Sequence, residues 1–455
     1  MGKLNVVILA AGKGTRMHSD IPKVLHQLGG LPLIQHVLDT TASLSADAVQ
    51  VVIGHEADAL RQALEGQSVR IVLQEKQLGT GHAVQQALSD MLPGATALIL
   101  YGDVPLIKGQ TLRKLLDRAD NNSMAVLTCS VTDPTGLGRI VRNSLGNISE
   151  IVEHRDATEA QREIREINTG IMAIPVDRLN KWLPQLQSNN TQGEYYLTDI
   201  VALALASGCL VHTEMATDEQ EVAGINNKLQ LATLERHYQH EKAASLMMAG
   251  MTIRDPARFD LRGSLEHGRD VEVDVNTVFE GRVRLGDRVK IGPNCILKNC
   301  AIQSGTEIAA NCVIEDANIG LSCHIGPFAR IRPGAVLEED ARVGNFVEIK
   351  KSTIGKGSKV NHLSYIGDSK LGAGVNVGAG TITCNYDGVN KHRTIIGDGV
   401  FIGSDSVLVA PVSVAAGAFI AAGSVITKAV GNNELAIGRS RQVNKSGWKK
   451  PVKNN

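Results

Sequence analysis

The sequence predicts an α/β domain with a mostly parallel sheet, then one long helix, then a parallel β-helix. Over residues 1–228, short apolar runs alternate with segments of helical period, which is typical of a sheet with helices on both faces. Residues 229–249 contain no Pro or Gly and keep apolar side chains three or four apart, so they predict a connecting helix. A different period occupies residues 250–455. We therefore expect two domains, 1–228 and 250–455, joined by a linker helix over 229–249.

The elements of the first domain follow from its apolar runs. NVVILA, VQVVIGH, VRIVLQ and ATALIL predict buried strands, and KVLHQLGGLPLIQHVLDTTASL, DALRQALEG and GHAVQQALSDML predict the helical segments between them. Sheets of this class bind ligands beyond the carboxyl ends of their strands. The candidate site residues are therefore expected in the loops that follow these strands.

Aliphatic residues recur at every sixth position in the second domain. Gly often follows the aliphatic residue directly, and the position four after it is small or β-branched. A period of six corresponds to one short strand plus one turn, and three such units close a triangular coil whose inward aliphatic side chains stack. The segment Thr383 to Ile395 interrupts the period, and such insertions form loops on one face, often the binding face. The uninterrupted series are Ile319, Ile325, Ile331, Leu337, Val343 and Ile349, and Ile396, Ile402, Leu408, Val414, Ile420 and Ile426.

The bulk composition excludes several classes of protein. Lys plus Arg and Asp plus Glu both total 47, so no overall charge attracts the chain to nucleic acid or to an anionic membrane. The seven cysteines form no C-x-x-C pair, and no stretch approaches the roughly 20 apolar residues that cross a bilayer. The apolar start at residues 6–11 is too short for a signal peptide. We expect a cytoplasmic protein that binds anionic ligands through local charge.

A loop with two glycines follows the first predicted strand. Its sequence, LAAGKGTRM, is followed by Pro22 and Lys23. The glycines let the backbone approach a ligand closely, so that main-chain N–H groups can bind phosphate while Arg16 and Lys23 supply charge. The spacing does not match a P-loop, and Met17 stands where a G-x-G-x-x-G motif needs its third glycine. A plain strand-to-helix linker with incidental glycines is the alternative interpretation.

A carboxylate follows another buried strand. The run ATALIL leads into YGDVPL and places Asp103 at the carboxyl end of the strand. A carboxylate at that edge suits Mg²⁺, which takes one or two protein oxygens and keeps water and nucleotide phosphate as its other ligands. The alternative is that Asp103 only caps the following turn.

These motifs closely resemble those of sugar-nucleotide pyrophosphorylases, in which a strand is followed by L-A-A-G-x-G-T-R-M and then P-K. The same order continues with QLGTGH, YGDVPL, EINTG, GEYYLTD and GINN across the first domain. With the hexapeptide repeats, essentially all 455 residues resemble the bifunctional N-acetylglucosamine-1-phosphate uridylyltransferases and glucosamine-1-phosphate N-acetyltransferases of bacterial UDP-N-acetylglucosamine synthesis. The resemblance implies a Rossmann-like nucleotidyltransferase domain, a left-handed β-helix, and precursor supply for peptidoglycan and lipopolysaccharide.

The resemblance implies Mg²⁺-dependent transfer of UMP from UTP to N-acetylglucosamine 1-phosphate, with release of pyrophosphate. In this transfer Asp103 and Asn226 would hold the metal, while Arg16 and Lys23 would act on the triphosphate. Gln74 matches a uracil-binding position, where an amide can donate to a base oxygen and accept from the ring NH. The implied uridylyl site comprises Leu9, Ala10, Ala11, Gly12, Arg16, Lys23, Gln74, Gly79, Thr80, Tyr101, Gly102, Asp103 and Asn226, with Gly138, Glu153 and Asn168 at the sugar.

A β-helix alone is compatible with acyl transfer, zinc-dependent hydration or a purely structural role. Zinc would need about three converging histidines, whereas His324, His362 and His392 are scattered. The resemblance, carried by GPFARIRPG, EIKKS, KVNHLSYIGD and NVGAGTITCNYDG, implies that acetyl-CoA acetylates glucosamine 1-phosphate with His362 as the general base. The implied substrate contacts are Arg332, Lys350, Tyr365 and Asn376, and the implied coenzyme contacts are Ala379, Asn385, Tyr386, Ser404, Ala422 and Arg439.

Two other functions stay open at this point. One is a single-activity pyrophosphorylase whose β-helix only assembles or regulates the protein, although His362 in its matching motif favours acetyl transfer. The second is a non-enzymatic nucleotide sensor on a trimeric scaffold, against which the basic residues of the loop and Asp103 argue. The expected partners are the small-molecule substrates and further copies of the chain in a homotrimer, with no nucleic acid and no membrane.

Overall fold

The computed structural model describes residues 2–54 and 58–453. The chain divides into two compact units, Met1–Tyr238 and Gln239–Asn455. The division falls inside a helix over Lys228–Met248, where the sequence predicts a linker helix at 229–249.

The first unit is a mixed, mostly parallel sheet flanked by helices. The strands of this unit are β1 (Leu4–Ala10), β2 (Gln27–Leu28), β3 (Leu31–Pro32), β4 (Ala48–Gly54), β5 (Arg70–Gln74), β6 (Thr96–Tyr101), β7 (Ser123–Ser130), β8 (Arg139–Arg142), β9 (Ile148–Val152), β10 (Glu166–Pro175) and β11 (Leu210–Ala216). The main path of the sheet runs β11-β7-β10-β6-β1-β4-β5, in which β10 lies antiparallel to both of its neighbours and the other pairs are parallel. A hairpin of β8 and β9 joins this sheet through β10, while β2 and β3 form a separate two-stranded sheet.

Helices cover both faces of this sheet because its central strands are apolar on both sides. All seven residues of β1 are buried; Val6 and Ile8 belong to the core on one face, and Val7 and Leu9 to the core on the other. The helices are α1 (Leu33–Ala42), α2 (Asp58–Ala63), α3 (Thr80–Ala87), α4 (Gly109–Leu116), α5 (Glu159–Arg162), α6 (Val176–Trp182), α7 (Ile200–Ala206) and α8 (Lys228–Met248).

The parallel register gathers the carboxyl ends of four strands at one edge. Leu9 in β1 pairs with Tyr101 in β6, and Ala10 pairs with Ile53 in β4. Gln74, the last residue of β5, pairs with the last residue of β4. The loops that carry the predicted nucleotide-site residues therefore emerge side by side.

The second unit is a parallel β-helix, which confirms the interpretation of the six-residue period. Ile331 pairs with Ile349, and Ile349 pairs in turn with Ile366 one coil later; these inward side chains are fully buried. One long sheet of the β-helix contains the strands Thr252–Ile253, Glu272–Val273, Lys290–Ile291, Glu307–Ile308, His324–Ile325, Arg342–Asn345, Lys359–His362, Asn376–Val377, Phe401–Ile402, Phe419–Ile420 and Leu435–Ala436.

The remaining strands of the β-helix form a second long sheet that covers its two other sides. They are Phe259–His267, Thr277–Leu285, Ile296–Lys298, Ala301–Ile302, Val313–Glu315, Asn318–Ile319, Arg330–Ile331, Val336–Leu337, Glu348–Lys350, Thr353–Ile354, Tyr365–Gly367, Ser369–Leu371, Ile382–Cys384, Thr394–Ile396, Val407–Val409, Val412–Val414 and Val425–Ile426. The predicted interruption lies between Ile382–Cys384 and Thr394–Ile396, yet Leu371 still pairs directly with Ile396. The extra residues therefore leave the stack without breaking its register.

The inward row should dominate the stability of the β-helix. Ile349→Ala should lower the free energy of unfolding by about 2–5 kcal/mol, because it removes buried methyl groups and leaves a cavity. Ile296→Ala removes the same atoms from an outward side chain that is 40% exposed, and should change this free energy by about 0.5 kcal/mol or less. Urea unfolding followed by circular dichroism compares the two variants. Equal losses would show that the inward row is not the core.

Candidate active sites

A cavity of about 560 Å³ lies at the carboxyl ends of β1, β5 and β6. It is formed by the glycine-containing loop after β1, the start of α3 and the residues that end β5 and β6. The predicted site residues that line it are Leu9, Ala10, Ala11, Gly12, Lys23, Gln74, Gly79, Thr80, Tyr101 and Asp103.

Two cationic groups and two oxygens form a cluster beside this cavity, and Lys23 and Asp103 of the cluster line it. The ammonium of Lys23 donates to Asp103 Oδ2 and, over 3.2 Å, to Asn226 Oδ1. The guanidinium of Arg16 donates to the same Asn226 oxygen over 2.9 Å. The Lys23 and Asp103 side chains are both largely buried, so salt screens their interaction less than that of a surface pair. The structure thus brings together the four residues predicted for the phosphates and the metal.

Backbone contacts explain why residues distant in sequence converge here. Gly102 N donates to Leu9 O over 3.0 Å, which joins the ends of β6 and β1. Ile225 N donates to Asp103 O over 3.0 Å, which sets the next residue, Asn226, beside the carboxylate. Gly14 has φ of 60°, and a Cβ there would lie 2.8 Å from the Cβ of Lys23. Glycine is therefore required where the loop passes Lys23.

The donor set fits a divalent cation such as Mg²⁺. One carboxylate oxygen of Asp103 and one amide oxygen of Asn226 contact the same ammonium group, so they already converge on one cationic centre. Mg²⁺ prefers oxygen ligands and takes only one or two of them from a protein. A metal held by these two oxygens would take the place of the Lys23 ammonium, whose charge would then be available to a phosphate.

Gln74 is buried at the end of β5 with its amide held on one side. Its Nε2 donates to Gly79 O over 3.2 Å and lies 3.0 Å from His82 Nδ1. Burial lowers the pKa of His82, which keeps this ring neutral and able to accept the bond. The Oε1 of Gln74 therefore remains as an acceptor at the cavity.

Gly138, Glu153 and Asn168 lie together beside the β8–β9 hairpin. Asn168 N donates to Gly138 O over 2.8 Å, and a Cβ on Gly138 would lie 3.3 Å from Glu153 Oε1. Burial raises the pKa of Glu153, and the carboxylates of Asp156 and Asp199 add to this rise. The three residues predicted for the sugar therefore form one group.

Tyr101 is near both Glu153 and Asp103. Its ring packs so closely on Gly170, where φ is 81°, that a Cβ there would lie 2.6 Å from the ring. Burial raises the pKa of the Tyr101 phenol, and the charges of Asp103 and Glu153 raise it further. Tyr101 therefore links the residues predicted for the sugar with those predicted for the metal.

In the second unit, His362 ends the strand Lys359–His362 and pairs with Asn345 on the preceding coil. His362 Nδ1 lies 2.9 Å from the side-chain oxygen of Asn345. An amide oxygen only accepts hydrogen bonds, so Nδ1 of the ring carries a proton toward Asn345. The β-helix therefore presents the His362 imidazole at its surface with its orientation held by Asn345, and Nε2 is the ring nitrogen left to exchange a proton.

Cationic side chains collect on the neighbouring face. Glu348 and Tyr365 pair there in register, and Arg332 NH1 donates to Glu348 Oε1 over 2.6 Å, a bond that raises the pKa of Arg332. The ammonium of Lys350 is close enough to Lys391 to lower the pKa of Lys391. Two ammonium groups held this close together suit a doubly charged anion such as a phosphate monoester.

The insertion forms a small hairpin that returns to this face. Tyr386 and Lys391 are joined by an antiparallel bridge. Asn385 Nδ2 donates to Asp368 Oδ2 over 2.5 Å and to Tyr365 Oη over 3.5 Å. The hairpin thus brings Lys391 close to Lys350 and Tyr365.

Four predicted coenzyme contacts stack along one corner of successive coils. Backbone N–H groups of the following coils donate to Ala379 O over 2.7 Å and to Ser404 O over 2.8 Å. The Arg439 guanidinium donates to Ala422 O. Asn376 lies on the adjoining sheet, where it pairs with Lys359 and Phe401. Residues 440–453 continue from this corner as an exposed segment without helix or strand.

Two residues of these groups are absent from the predicted set. Asn345 precedes His362 by 17 residues, which is one coil, so aligning the repeats coil by coil could have found it. Lys391 lies in the insertion, where the six-residue period assigns no position. Only the hairpin fold reveals its contact with Lys350.

Known proteins that resemble this chain cover both units. The MobA-like NTP transferase domain matches residues 6–167, the GMPPB C-terminal domain matches residues 262–347, and the bacterial transferase hexapeptide (six repeats) matches residues 393–428. A relative from Pseudoalteromonas atlantica, "bifunctional protein GlmU", is 55% identical over 449 residues, which cover 99% of each chain. The chain belongs to the GlmU family.

As a member of the GlmU family, the chain is a bifunctional enzyme. Its nucleotidyltransferase domain lies in the first half and its hexapeptide transferase domain in the second, which confirms the predicted pairing of activities. A solved nucleotidyl transferase from Methanothermobacter thermautotroptrophicus is 21% identical, covers 52% of this chain and 97% of its own, and has a TM-score of 0.39. Among the described residues, no helix is long and apolar enough to cross a membrane.

The raised pKa of Glu153 gives a pH-dependent prediction for stability. Below the ordinary Glu pKa of about 4.3 the carboxyl is neutral in the folded and the unfolded chain, so its burial has no ionisation penalty. The penalty grows as pH rises through the raised folded pKa and is constant above it. Glu153→Gln should therefore have the same melting temperature as the wild type near pH 4. Near pH 8 its melting temperature should be higher, by about 2–4 °C for each kcal/mol of penalty.

Differential scanning fluorimetry across this pH range measures the difference. Glu163→Gln, at an exposed carboxyl group, is the matched control and should track the wild type at every pH. A difference between Glu153→Gln and the wild type that does not change with pH would contradict the assignment of the penalty to ionisation.

Proposed function

We propose that this chain acetylates glucosamine 1-phosphate with acetyl-CoA and then joins the product to UMP from UTP, giving UDP-N-acetylglucosamine and pyrophosphate. The proposal is carried by the presence of two polar sites with different chemistry on one chain. In one, oxygens of Asp103 and Asn226 converge on the Lys23 ammonium, and Asp103 and Lys23 line a nucleotide-sized cavity. In the other, His362, held by Asn345, belongs to the same β-helix as a cationic cluster.

In uridylyl transfer, a phosphate oxygen of N-acetylglucosamine 1-phosphate attacks the α-phosphorus of UTP, and pyrophosphate leaves. This chemistry needs positioning and charge neutralisation more than covalent participation by the protein. Asp103 and Asn226 hold Mg²⁺, which when bound neutralises the phosphates. Lys23, released from Asp103, and Arg16 bind the triphosphate and stabilise the leaving pyrophosphate.

The base and the sugar are held on either side of the phosphates. The free Oε1 of Gln74 accepts the uracil ring NH, and the Gly79–Thr80 backbone lies beside the base at the start of α3. Gly138, Glu153 and Asn168 bind the sugar hydroxyls and the acetamide. The remaining contacts of this site come from Leu9, Ala10, Ala11, Gly12, Tyr101 and Gly102.

In acetyl transfer, His362 Nε2 takes a proton from the ammonium of glucosamine 1-phosphate. The free amine attacks the thioester carbonyl of acetyl-CoA, the N–C bond forms and the C–S bond breaks. The second proton that the nitrogen loses passes to the sulfur, so coenzyme A leaves as its thiol. Asn345 keeps the ring in the tautomer that this step needs. Arg332, Lys350, Lys391 and Tyr365 bind the phosphate of the substrate.

The coenzyme lies along the corner formed by Ala379, Ser404, Ala422 and Arg439. Small side chains there leave room for the pantetheine arm, and the Arg439 guanidinium is suited to a phosphate of the nucleotide end. Asn376, Asn385 and Tyr386 line the junction between coenzyme and acceptor. The seven free cysteines and the nucleotide and thioester substrates are consistent with a cytoplasmic location.

Single substitutions should separate the two activities. His362→Ala should lower acetyl transfer by about 10²- to 10⁴-fold, the usual contribution of a positioned general base, and leave uridylyl transfer unchanged. Asp103→Asn should lower uridylyl transfer by about 10²-fold or more, because it removes a charge that holds the metal, and leave acetyl transfer unchanged. Both variants are assayed with N-acetylglucosamine 1-phosphate plus UTP, and separately with glucosamine 1-phosphate plus acetyl-CoA.

Chelation of the metal gives an independent control on the wild type. EDTA should abolish uridylyl transfer and leave acetyl transfer nearly intact, since the second reaction involves only an amine and a thioester. Acetyl transfer above about a tenth of normal in His362→Ala would remove the general-base role from this residue. Equal loss of both activities in EDTA would contradict the separation of the sites.

A homotrimer is the proposed assembly, and an exposed apolar corner of the β-helix supports it. Phe328, Phe346 and Leu363 occupy equivalent turns with φ of 57°, 56° and 48°, and they are 50%, 56% and 63% exposed. The two phenyl rings stack at 5.3 Å. Bulky side chains are disfavoured in this backbone conformation, and the equivalent turns of earlier coils carry Asn294 and Asn311. An exposed apolar row of this kind is typical of an interface between proteins. In the proposed trimer a second copy of the chain covers this row.

Phe346→Asp should therefore dissociate the trimer. A charge in an apolar interface is costly to desolvate, so sedimentation should show a smaller species. Acetyl transfer should fall, because His362 is next to Leu363 of this row, while uridylyl transfer should persist. Asn294→Asp adds the same charge at the equivalent turn of an earlier coil and is the control. A wild-type chain that sediments as a fully acetylating monomer would refute the trimer.

A further inference from the structure

The peptide that carries Asn226 is held by the first turn of α8. Asn226 N donates to the side-chain oxygen Oε1 of Gln230 over 2.8 Å. One residue earlier, Ile225 N donates to Asp103 O over 3.0 Å. Consecutive N–H groups are thus fixed, one by the loop that ends β6 and one by the helix.

We propose that Gln230 is a positioning residue for uridylyl transfer and that its side chain sets the orientation of Asn226 toward Asp103 and the phosphate-binding cations. This inference rests on the proposed metal-binding role of Asp103 and Asn226. Gln230 acts only through its hydrogen bond to the backbone of Asn226. It is exposed and does not line the nucleotide cavity.

A purely structural role in helix capping does not account for this bond. In a capping box, the glutamine at the third helical position accepts from the backbone N–H of the N-cap residue. Here the N-cap is Asn227, whose side chain accepts from Gln230 N over 2.8 Å, so the helix is capped without the glutamine side chain. Gln230 instead accepts from Asn226, one residue before the cap. The bond therefore reaches the residue that bears the proposed metal ligand.

The other contacts that hold the Ile225–Asn226 peptide do not involve Gln230. Ile225 is buried in a cluster with Met17, Leu28, Leu33 and Leu234. This cluster also lies directly behind the phosphate-binding loop, because Met17 is adjacent to Arg16. Removal of the Gln230 amide should therefore leave α8 packed while it frees the Asn226 peptide to rotate. We therefore expect the Asn226 side chain to be held less firmly while the first unit stays folded.

The test compares Gln230→Ala with Gln230→Glu in the full-length chain. The glutamate keeps an acceptor oxygen at the same position, so it should restore the wild-type behaviour. Leu229→Ala removes an exposed side chain from the same helical turn and is the matched control. Mn²⁺ binding in the presence of UTP, followed by electron paramagnetic resonance, reports on the site without turnover. Uridylyl transfer as a function of Mg²⁺ and acetyl transfer are measured alongside it.

We expect Gln230→Ala to weaken Mn²⁺ binding by about 3- to 10-fold, which corresponds to about 0.7–1.4 kcal/mol and is in the range of one hydrogen bond. Uridylyl transfer should need correspondingly more Mg²⁺ but approach the wild-type rate at saturation, and acetyl transfer should not change. Wild-type Mn²⁺ binding by Gln230→Ala would overturn the inference, as would an equal loss in Leu229→Ala or in Gln230→Glu.

Asp103→Asn distinguishes this inference from the proposed function on which it rests. If Asp103→Asn also binds Mn²⁺ like the wild type, the metal site itself is wrongly assigned and both proposals fall. If Asp103→Asn loses Mn²⁺ and Gln230→Ala does not, the metal site stands and the role of Gln230 is refuted.

Discussion

Parallel strand pairs place the functional side chains of both units, and the register of each pair decides which residues become neighbours. In the first unit the pairing of Leu9 with Tyr101 and of Gly54 with Gln74 brings successive loops to one edge. In the second, Asn345 lies beside His362 one coil later. A shift of one residue in either register would turn every side chain to the opposite face. The buried aliphatic rows oppose such a shift, so the apolar core also fixes the geometry of the sites.

Because the chain has no net charge, anionic ligands are attracted by local groups of cationic side chains. Lys23 is paired with Asp103 and Arg332 with Glu348. Each of these cations has a carboxylate partner that a phosphate would have to replace in order to bind it. The Arg332–Glu348 pair is about one-third exposed, so water screens it and the pair contributes little stability. Lys350 and Lys391 differ, since the ammonium of Lys350 lowers the pKa of Lys391.

Strand ends and repeat positions could be predicted from the sequence because both are periodic properties of the chain. Asp103 was recognisable as the polar residue that follows ATALIL, and the inward row of the β-helix was recognisable from its spacing of six. Asn345 and Gln230 were not recognised, since their roles depend on single hydrogen bonds whose geometry no period encodes. Lys391 acquires its partner only when the hairpin folds back. The identities of the sugar and the coenzyme came from family motifs, not from spacing.

In the coil that contains the hairpin, the residues that keep the strands in register are different from the residues that form the hairpin. Leu371 meets Ile396 directly, so the strands on either side of the excursion stay in phase. The entropic cost of closing a loop grows only slowly with its length, so the hairpin lowers the stability of the fold only a little. Residues between these strands can therefore be exchanged without repacking the inward rows. A hairpin of different length or sequence at this place would change the shape and charge of the face beside it while the scaffold stays the same.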